Sequence, residues 1–184
     1  KCVCRTTQGF LDRSCGKPVE VCFQFGSNAD YFVDKGIGRF VSHEEALAIL
    51  DTCEEAGLVS QPYVAQDMGG MCNCCGDCCG MMHSIRRYGI TGAIVSSNWV
   101  AHVDLDKCRG CKKCARACPA EAVTMVDNEG QGLRKYWAIV DPAKCVGCGA
   151  CVVAFVLSLL GAGMIRLFDD DGGSEEDITA HPVS

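Results

Sequence analysis

The sequence predicts an α+β fold in two parts, and three observations carry this prediction. The pattern CxxCxxC occurs twice in the second half, beginning at Cys108 and again at Cys145. Short apolar segments follow the first copy and indicate strands, and a helix with clear ends stands in the first half. We therefore expect a small, loop-rich cysteine module over residues 1–98, a second domain over 99–168 and an acidic tail over 169–184.

The composition favours bound metal over disulfides. Of the 184 residues, 17 are cysteine, and many are adjacent or separated by one or two residues, which is too close for ordinary disulfide bridges. An odd count also leaves one thiol unpaired. Because metal-bound cysteines fit a reducing interior, we expect a cytoplasmic protein of an anaerobe.

The charge of the chain limits its partners. The formal net charge is −6, and bound metal makes it more negative because metal-bound cysteines are deprotonated. We therefore expect no nucleic-acid partner. The expected partner is a redox protein that docks through basic residues, either free or within a larger oxidoreductase complex.

The stretch from Cys108 to Pro119 has the ligand spacing of a [4Fe–4S] site. Cys108, Cys111 and Cys114 stand two residues apart, and such a tight loop can place three thiolates on three corners of one cube. Cys118 follows after three more residues and lies beyond the reach of that loop. In proteins with two clusters, this fourth cysteine ligates the other cluster.

The second copy of the pattern is incomplete. Cys145, Cys148 and Cys151 repeat the triplet, and the Val-Asp pair and the lysine before it repeat as well, but Phe155 stands in the fourth position. Two zinc sites are the alternative, although zinc sites seldom repeat three cysteines at this spacing with the same flanks.

With both copies present, residues 100–168 resemble the bacterial two-cluster ferredoxin family. The resemblance implies a pseudo-twofold domain of paired short strands and helices around two electron-carrying clusters. It also implies that Cys118 and the second triplet hold one cluster completely, while the first triplet holds the other with one ligand short. We expect the latter cluster to be bound, with its fourth corner open, as in [3Fe–4S], or ligated by a residue other than Phe155. Asp106 and a thiol of the first module are candidates, and an empty site ranks last.

Loops rather than a long helix are predicted over residues 1–22, because Gly9, Gly16 and Pro18 interrupt the segment. This stretch carries four cysteines that indicate metal ligation: Cys2, Cys4, Cys15 and Cys22. The spacings of these cysteines are not specific for one metal. Iron–sulfur ligation, zinc ligation and free thiols therefore all remain possible interpretations, and iron–sulfur ligation is favoured.

The clearest helix runs from Ser42 to Gly57. Ser42 and Glu45 form a capping box, and Gly57 closes the end. Cys53 lies on the apolar stripe of this helix, so we expect a small buried residue there rather than a ligand.

A second dense group of cysteines occupies the segment 71–82: Cys72, Cys74, Cys75, Cys78 and Cys79. Adjacent cysteines cannot easily both ligate one cube, so each doublet is expected to serve two partners. Cys74 and Cys78, like Cys75 and Cys79, are one helical turn apart, which predicts two sets of thiolates on two faces of a helix. With the N-terminal cysteines they are predicted to hold iron jointly, for two to four clusters in the whole chain. A thiol redox pair or a disulfide-reductase-type site is the alternative.

The order of these first-half motifs carries a second resemblance. CVCR, the cysteines at 15 and 22, GxGR, EEA and CNCC are similar to an iron–sulfur protein family of anaerobes, over residues 1–150. In that family a cysteine-rich region precedes a ferredoxin domain, and the implied function is electron transfer.

The remaining elements belong to the second half and the connection before it. Gly89 and Gly92 predict an extended connector over 83–103. The apolar run 152–160 is shorter than the ~20 residues of a membrane helix, so a buried helix is predicted and a membrane anchor is not expected. Strands and a turn are predicted at these positions: strands Ala122–Val126, Lys135–Val140 and Met164–Phe168, and a turn over 128–132.

These observations predict an iron–sulfur electron-transfer protein that relays single electrons as a subunit or partner of an anaerobic oxidoreductase. The sequence contains no recognisable pair of catalytic nucleophile and general base, no phosphate-binding loop and no substrate pocket. We therefore assign no reaction to this protein itself. The alternatives are a thiol/disulfide redox enzyme that uses the cysteine doublets and a redox sensor that uses the incomplete cluster.

Overall fold

The computed structural model describes residues 1–63, 66–90, 92, 94, 97–128, 135–156 and 165–169. Its contacts divide the chain into two compact units, Lys1–Val95 and Ser96–Ser184. Both units combine short helices with small antiparallel sheets. The predicted α+β class is therefore confirmed.

The first unit contains a small sheet with helices before, between and after its strands. Its central strand β3 pairs antiparallel with β1 on one side and with β2 on the other, Val59 lying opposite Cys74. The elements are α1 (Val3–Phe10), β1 (Phe23–Gln24), α2 (Ser27–Asp34), α3 (His43–Glu55), β2 (Val59–Pro62), β3 (Gly70–Cys74) and α4 (Gly80–Tyr88).

Helix α3 begins and ends as the sequence predicts. The Glu45 backbone N–H donates to the Ser42 hydroxyl over 3.1 Å, and Gly57 follows the helix in the left-handed conformation, with φ of 64°. Cys53 is buried, with 2% of its surface exposed. The apolar stripe thus faces the core of the first unit, where Ile49 and Ala56 pack beside Cys53.

Three predictions for the first unit are wrong in detail. Residues 3–10 form helix α1 despite Gly9, because a single glycine weakens a helix without ending it. The predicted connector over 83–103 contains the end of α4 and the strand β4. The dense cysteine group lies not on one helix but on the end of β3, a turn and the start of α4, so its thiols group differently from the helical expectation.

The described residues of the second unit form two small sheets and two short helices. β4 pairs antiparallel with β7, and β5 pairs antiparallel with β6, Val123 lying opposite Val140. The elements are β4 (Trp99–Val103), α5 (Lys113–Ala117), β5 (Val123–Asp127), β6 (Tyr136–Val140), α6 (Ala150–Val156) and β7 (Ile165–Asp169). The three predicted strands are confirmed to within one residue at each end, whereas most of the predicted turn lies outside the described residues.

The sequence repeat around the two cysteine triplets is also a structural repeat. The Cys108 N–H donates to the Asp104 carbonyl oxygen over 2.9 Å, and the Cys145 N–H donates to that of Asp141 over 3.0 Å. In each turn, the lysine before the cysteine forms an ion pair with the aspartate of that turn. The nitrogen–oxygen distance is 3.0 Å for Lys107 and Asp104 and 3.8 Å for Lys144 and Asp141. The two cysteine loops therefore start from the same backbone turn.

Helix α6 covers the beginning of the apolar run, and the rest of the run up to residue 160 is outside the described residues, as is the tail from residue 170. Within the part of the chain that the structure describes, no helix is both long enough and apolar enough to span a membrane.

Candidate metal centres

Cys118 lies with Cys145, Cys148 and Cys151 around one cavity, here called the Cys118 site. The other walls of the cavity are largely alanine, valine and glycine residues together with Pro119. Burial and then the negative charge of the neighbouring thiolates raise the pKa of Cys151 to about 12. The four predicted ligands of one cluster thus meet at one place, although Cys118 is distant from the others in sequence.

Backbone N–H groups point at the sulfurs of the Cys118 site. The Ala122 N–H donates to Cys118 Sγ over 3.2 Å, and the Ala101 N–H donates to Cys145 Sγ over 3.5 Å. Such bonds stabilise thiolates and the negative charge of a bound cluster. Four thiols around an apolar cavity with inward N–H donors fit a [4Fe–4S] group.

The loop of the Cys118 site requires a glycine at position 147. Gly147 has φ of 62°, and a Cβ atom there would collide with the Ser97 hydroxyl and the Trp99 carbonyl oxygen. Gly110, the matching residue of the first triplet, has φ of 67°, and a Cβ there would collide with the Tyr136 carbonyl oxygen. Each loop therefore packs directly against the backbone of another segment.

Cys108, Cys111 and Cys114 form the Cys108 site in the same unit. Cys108 and Cys114 are buried, and Cys111 is exposed. Burial and then the charges of Cys111 and Cys108 raise the pKa of Cys114. Cys108 and Cys114 also belong to one hydrophobic core with Cys151 of the Cys118 site, so the two sites share a core.

The fourth ligand of the Cys108 site stays a prediction. Phe155 lies in α6, and its side chain is outside the described part of the structure. Asp106 is exposed, and its N–H donates to the Asp104 carboxylate over 3.0 Å. A donor from the first unit likewise remains an expectation.

The segment that carries the Cys108 site is rich in basic residues. Its loop and helix α5 carry Lys107, Arg109, Lys112, Lys113 and Arg116, in a protein whose formal net charge is −6. Lys112 has φ of 64°, and its Nζ lies 4.0 Å from the centroid of the Tyr136 ring. The segment 107–116 thus carries five basic residues and no acidic one, which contrasts with the net negative charge of the chain.

In the first unit, Cys15, Cys75 and Cys78 form a compact group, here called the Cys15 site. Their sulfur atoms all lie within 4.8 Å of one another, and those of Cys15 and Cys75 are 3.8 Å apart. The Cys78 N–H donates to Cys75 Sγ over 3.3 Å. The turn between Cys75 and Cys78 is held by Arg86, which donates to the Gly76 carbonyl oxygen over 2.8 Å.

The Arg5 side chain is buried beside this group, with 1% of its surface exposed. Its guanidinium donates to the Asn73 carbonyl oxygen over 3.0 Å. Burial lowers the pKa of Arg5, but a hydrogen bond to Cys75 and the charges of Cys2, Cys75 and Cys15 outweigh this and raise it. Sequence analysis did not identify Arg5, since only its position directly after the first cysteine pair marks it.

The remaining cysteines of the first unit, apart from Cys4 and Cys53, are joined by side-chain hydrogen bonds and are here called the Cys22 group: Cys2, Cys22, Cys72, Cys74 and Cys79. A hydrogen bond with the Cys22 thiol lowers the pKa of Cys2 to about 5, and one with the Cys74 thiol lowers the pKa of Cys79 to about 6. Hydrogen bonds with Cys22 and Cys74 also lower the pKa of Cys72, while the pKa values of Cys22 and Cys74 themselves are raised.

The doublets therefore separate in a different way from the helical prediction. Cys75 groups with Cys78, and Cys74 groups with Cys79, because the chain turns between the two doublets. As predicted, however, both groups combine N-terminal cysteines with cysteines of the segment 72–79. Cys4 is largely exposed near the Cys22 group. Partial loss of solvent around its sulfur and then the charges of Cys79, Cys2 and Cys72 raise its pKa, against a hydrogen bond with the Gly80 backbone.

Comparison with known proteins identifies one part of the chain. Residues 107–154 match the family described as a 4Fe-4S dicluster domain. This segment is a ferredoxin-type domain, which confirms the resemblance inferred for the second half, and it holds [4Fe–4S] clusters. The cysteine-rich first unit lies outside the matched residues.

Three relatives share part of the chain. A "[Co(II) methylated amine-specific corrinoid protein] reductase" of Methanosarcina barkeri is 40% identical over 48 residues, which are 26% of this chain and 8% of the relative. A subunit of an ion-translocating oxidoreductase complex of Methanosarcina acetivorans is 42% identical over 45 residues, 24% of this chain and 14% of the relative. "Ferredoxin-3" of Nostoc is 32% identical over 60 residues, 27% of this chain and 62% of the relative. The chain thus spans small fractions of the first two relatives and less than two thirds of the third.

Proposed function

We propose that this protein is an iron–sulfur electron-transfer protein that relays single electrons as a subunit or partner of a larger oxidoreductase. The observation that carries the proposal is the meeting of Cys118 with Cys145, Cys148 and Cys151 around one cavity. This arrangement supports cross-over ligation, in which the two triplets form a single unit with two neighbouring clusters. We further propose that the cysteine-rich first unit is a separate metal-binding module.

The residues around the two sites have distinct tasks. A bound [4Fe–4S] group supplies the capacity to accept or release one electron. The Ala122 and Ala101 N–H groups stabilise the thiolates, and the shared apolar core keeps water away from them. The exposed side chain of Cys111 gives a partner protein close access to the Cys108 site.

The relatives support a redox partner without naming one. Their names describe a reductase, a component of an oxidoreductase complex and a ferredoxin. We propose that the present chain likewise exchanges electrons with another protein, in a reducing cytoplasm where its cysteines, each a free thiol in the structure, stay available for metal.

Iron and acid-labile sulfide analysis of the anaerobically purified full-length protein tests this function. We expect about seven or eight irons from the second unit, depending on whether the Cys108 site holds three or four, together with reversible bleaching of the visible spectrum by one-electron reductants. About four irons would mean that only the complete Cys118 site is occupied. Absence of sulfide would contradict the proposal.

A second function, thiol–disulfide chemistry, is favoured by one observation in the first unit. Side-chain hydrogen bonds join Cys2 to Cys22 and Cys79 to Cys74 and lower the pKa values of Cys2 and Cys79, and a cysteine of lowered pKa beside a second cysteine is the arrangement of a redox-active pair. Anaerobic alkylation followed by peptide mapping separates the two functions. An enzyme of this kind leaves a reactive pair in the holo-protein, whereas metal ligands resist the reagent.

A further inference from the structure

We propose that Cys15, Cys75 and Cys78 bind a single divalent, thiophilic metal ion, with Arg5 beside it as a buried counter-charge. The ion would be zinc or ferrous iron, coordinated by the three thiolates. Its fourth coordination position would be occupied by a nitrogen or oxygen ligand. The proposal concerns the first unit only, so it stands or falls independently of electron transfer by the ferredoxin-type domain.

The sulfur spacing favours one ion over a cube. Tetrahedral bonds of ~2.3 Å place two ligand sulfurs about 3.8 Å apart. Cys15 Sγ and Cys75 Sγ are 3.8 Å apart, and all three sulfurs lie within 4.8 Å of one another. The terminal sulfurs of a [4Fe–4S] cube each bind a different iron and stand farther apart, at roughly 6 Å. This revises the sequence-based preference for iron–sulfur at these three cysteines.

The backbone around Cys75 is arranged for a ligand. Cys75 is fully buried, with 0% of its surface exposed, and its sulfur accepts from the Cys78 N–H. The C-x-x-C turn between them is held from outside by Arg86, which contacts both Gly76 and Asp77. In many tetrahedral metal sites, a short turn of this kind supplies two of the four ligands.

The charge of Arg5 matches that of a three-thiolate site. The Arg5 guanidinium is buried, and its Nε has no hydrogen-bond partner among the described residues. Within the same residues, no carboxylate forms an ion pair with it. A buried charge needs a counter-charge, and thiols are what surrounds this one. A divalent ion with three thiolates carries one net negative charge, which one guanidinium balances.

Cys53 provides a matched control. It lies in the same buried core as Cys75 and Cys78 and is equally inaccessible, with 2% of its surface exposed. It is outside the group whose sulfurs lie within 4.8 Å of one another. Replacement of this cysteine therefore reports the cost of altering the core without removing a ligand.

Zinc binding to the full-length protein tests the site directly. The protein is reconstituted anaerobically with iron and sulfide, then given Zn²⁺ and freed of loosely bound metal. We expect one zinc per chain, and X-ray absorption at the zinc edge, which does not detect the iron clusters, should show three sulfur ligands and one lighter ligand. Cys15→Ser and Cys75→Ser should remove this zinc, whereas Cys53→Ser and Cys22→Ser should keep it. Where ferrous iron already occupies the site, Mössbauer spectroscopy should show a single iron in sulfur ligation, which Cys15→Ser removes.

Three results would overturn the proposal. The first is a cluster, recognised by iron–iron distances, that is lost in Cys15→Ser. The second is zinc that is lost in Cys22→Ser but kept in Cys15→Ser. The third is a holo-protein without zinc or single iron in which Cys15 and Cys75 are alkylated. The absorption spectrum of the unaltered protein decides between one ion and a cube even if Cys75→Ser fails to fold.

The role of Arg5 has its own test. Arg5→Gln should weaken zinc binding by about tenfold or more, the size of effect seen when residues behind metal ligands are changed. Arg5→Lys keeps the charge and should recover most of the affinity. Equal zinc affinity in Arg5→Gln and the unaltered protein would show that Arg5 is not the counter-charge of this site.

Discussion

The backbone N–H of Ala122 donates a hydrogen bond of 3.2 Å to the sulfur of Cys118. Ala122 is buried next to β5, so the start of that strand fixes the position of the cysteine before it. Cys118 follows helix α5, which carries Cys114 of the other site. This one bond therefore ties the sheet to the point where the chain crosses from the Cys108 site to the Cys118 site.

Cys118→Ala should open the Cys118 site and leave the Cys108 site intact, although Cys118 is adjacent to the latter in sequence. Cross-over ligation gives the reason, because the cluster held by Cys145, Cys148 and Cys151 loses one corner. EPR spectra of the reduced and oxidised protein measure this change. Cys108→Ala is the matched control and should affect the other signal; identical spectra from the two variants would contradict the assignment.

Gly147→Ala should destabilise the second unit by more than the left-handed backbone conformation alone explains. That conformation costs roughly 1–2 kcal/mol for a residue with a Cβ, and the collision with Ser97 and Trp99 adds to it. Gly89→Ala is the control, since Gly89 has φ of 65° and open space around its Cβ position. Thermal unfolding and the rate of cluster loss should both change more in Gly147→Ala; equal effects in the two variants would refute the close approach.

Phe155→Cys should convert the Cys108 site into an ordinary four-thiolate site. The added thiolate brings negative charge, stabilises the oxidised form and so lowers the reduction potential. Anaerobic redox titration followed by EPR measures both the potential and the cluster type. Phe155→Ser serves as a control that removes the ring but adds no thiol. A cluster that is unchanged in Phe155→Cys would mean that residue 155 is not near the open corner.

Arg109→Glu should change how the Cys108 site reacts with charged reductants. Arg109 is exposed next to buried Cys108, within a basic segment that attracts anions. At low salt, reduction by the anion dithionite should slow several-fold, while reduction by a cationic viologen radical should accelerate. Both effects should fade near 1 M salt, where the screening length is about 3 Å. Arg87→Glu in the first unit is the control, and equal changes there would make the effect one of net charge alone.

The sequence predicts the second unit better than the first, and particular residues show why. The strands at 122–126, 135–140 and 164–168 can be predicted from short apolar segments. The spacing of the cysteines predicts which of them group together as cluster ligands. The sequence could not predict which cysteines lie beside Cys74 and Cys75. The same spacing of cysteines along the chain occurs in a continuous helix and in a strand, a turn and the start of a helix, but the two structures bring different thiols together. Arg5 was missed for a related reason: its burial depends on contacts with residues such as Asn73, 68 positions away.

The pairing of β4 with β7 places Trp99 opposite Asp169, so the first and last described strands of the second unit lie side by side. A domain whose first and last strands are adjacent can be inserted into or fused to other sequences, because the chain enters and leaves the domain at one edge. Paired first and last strands of this kind allow an electron-carrying domain to be joined to other sequences without changes to its own core.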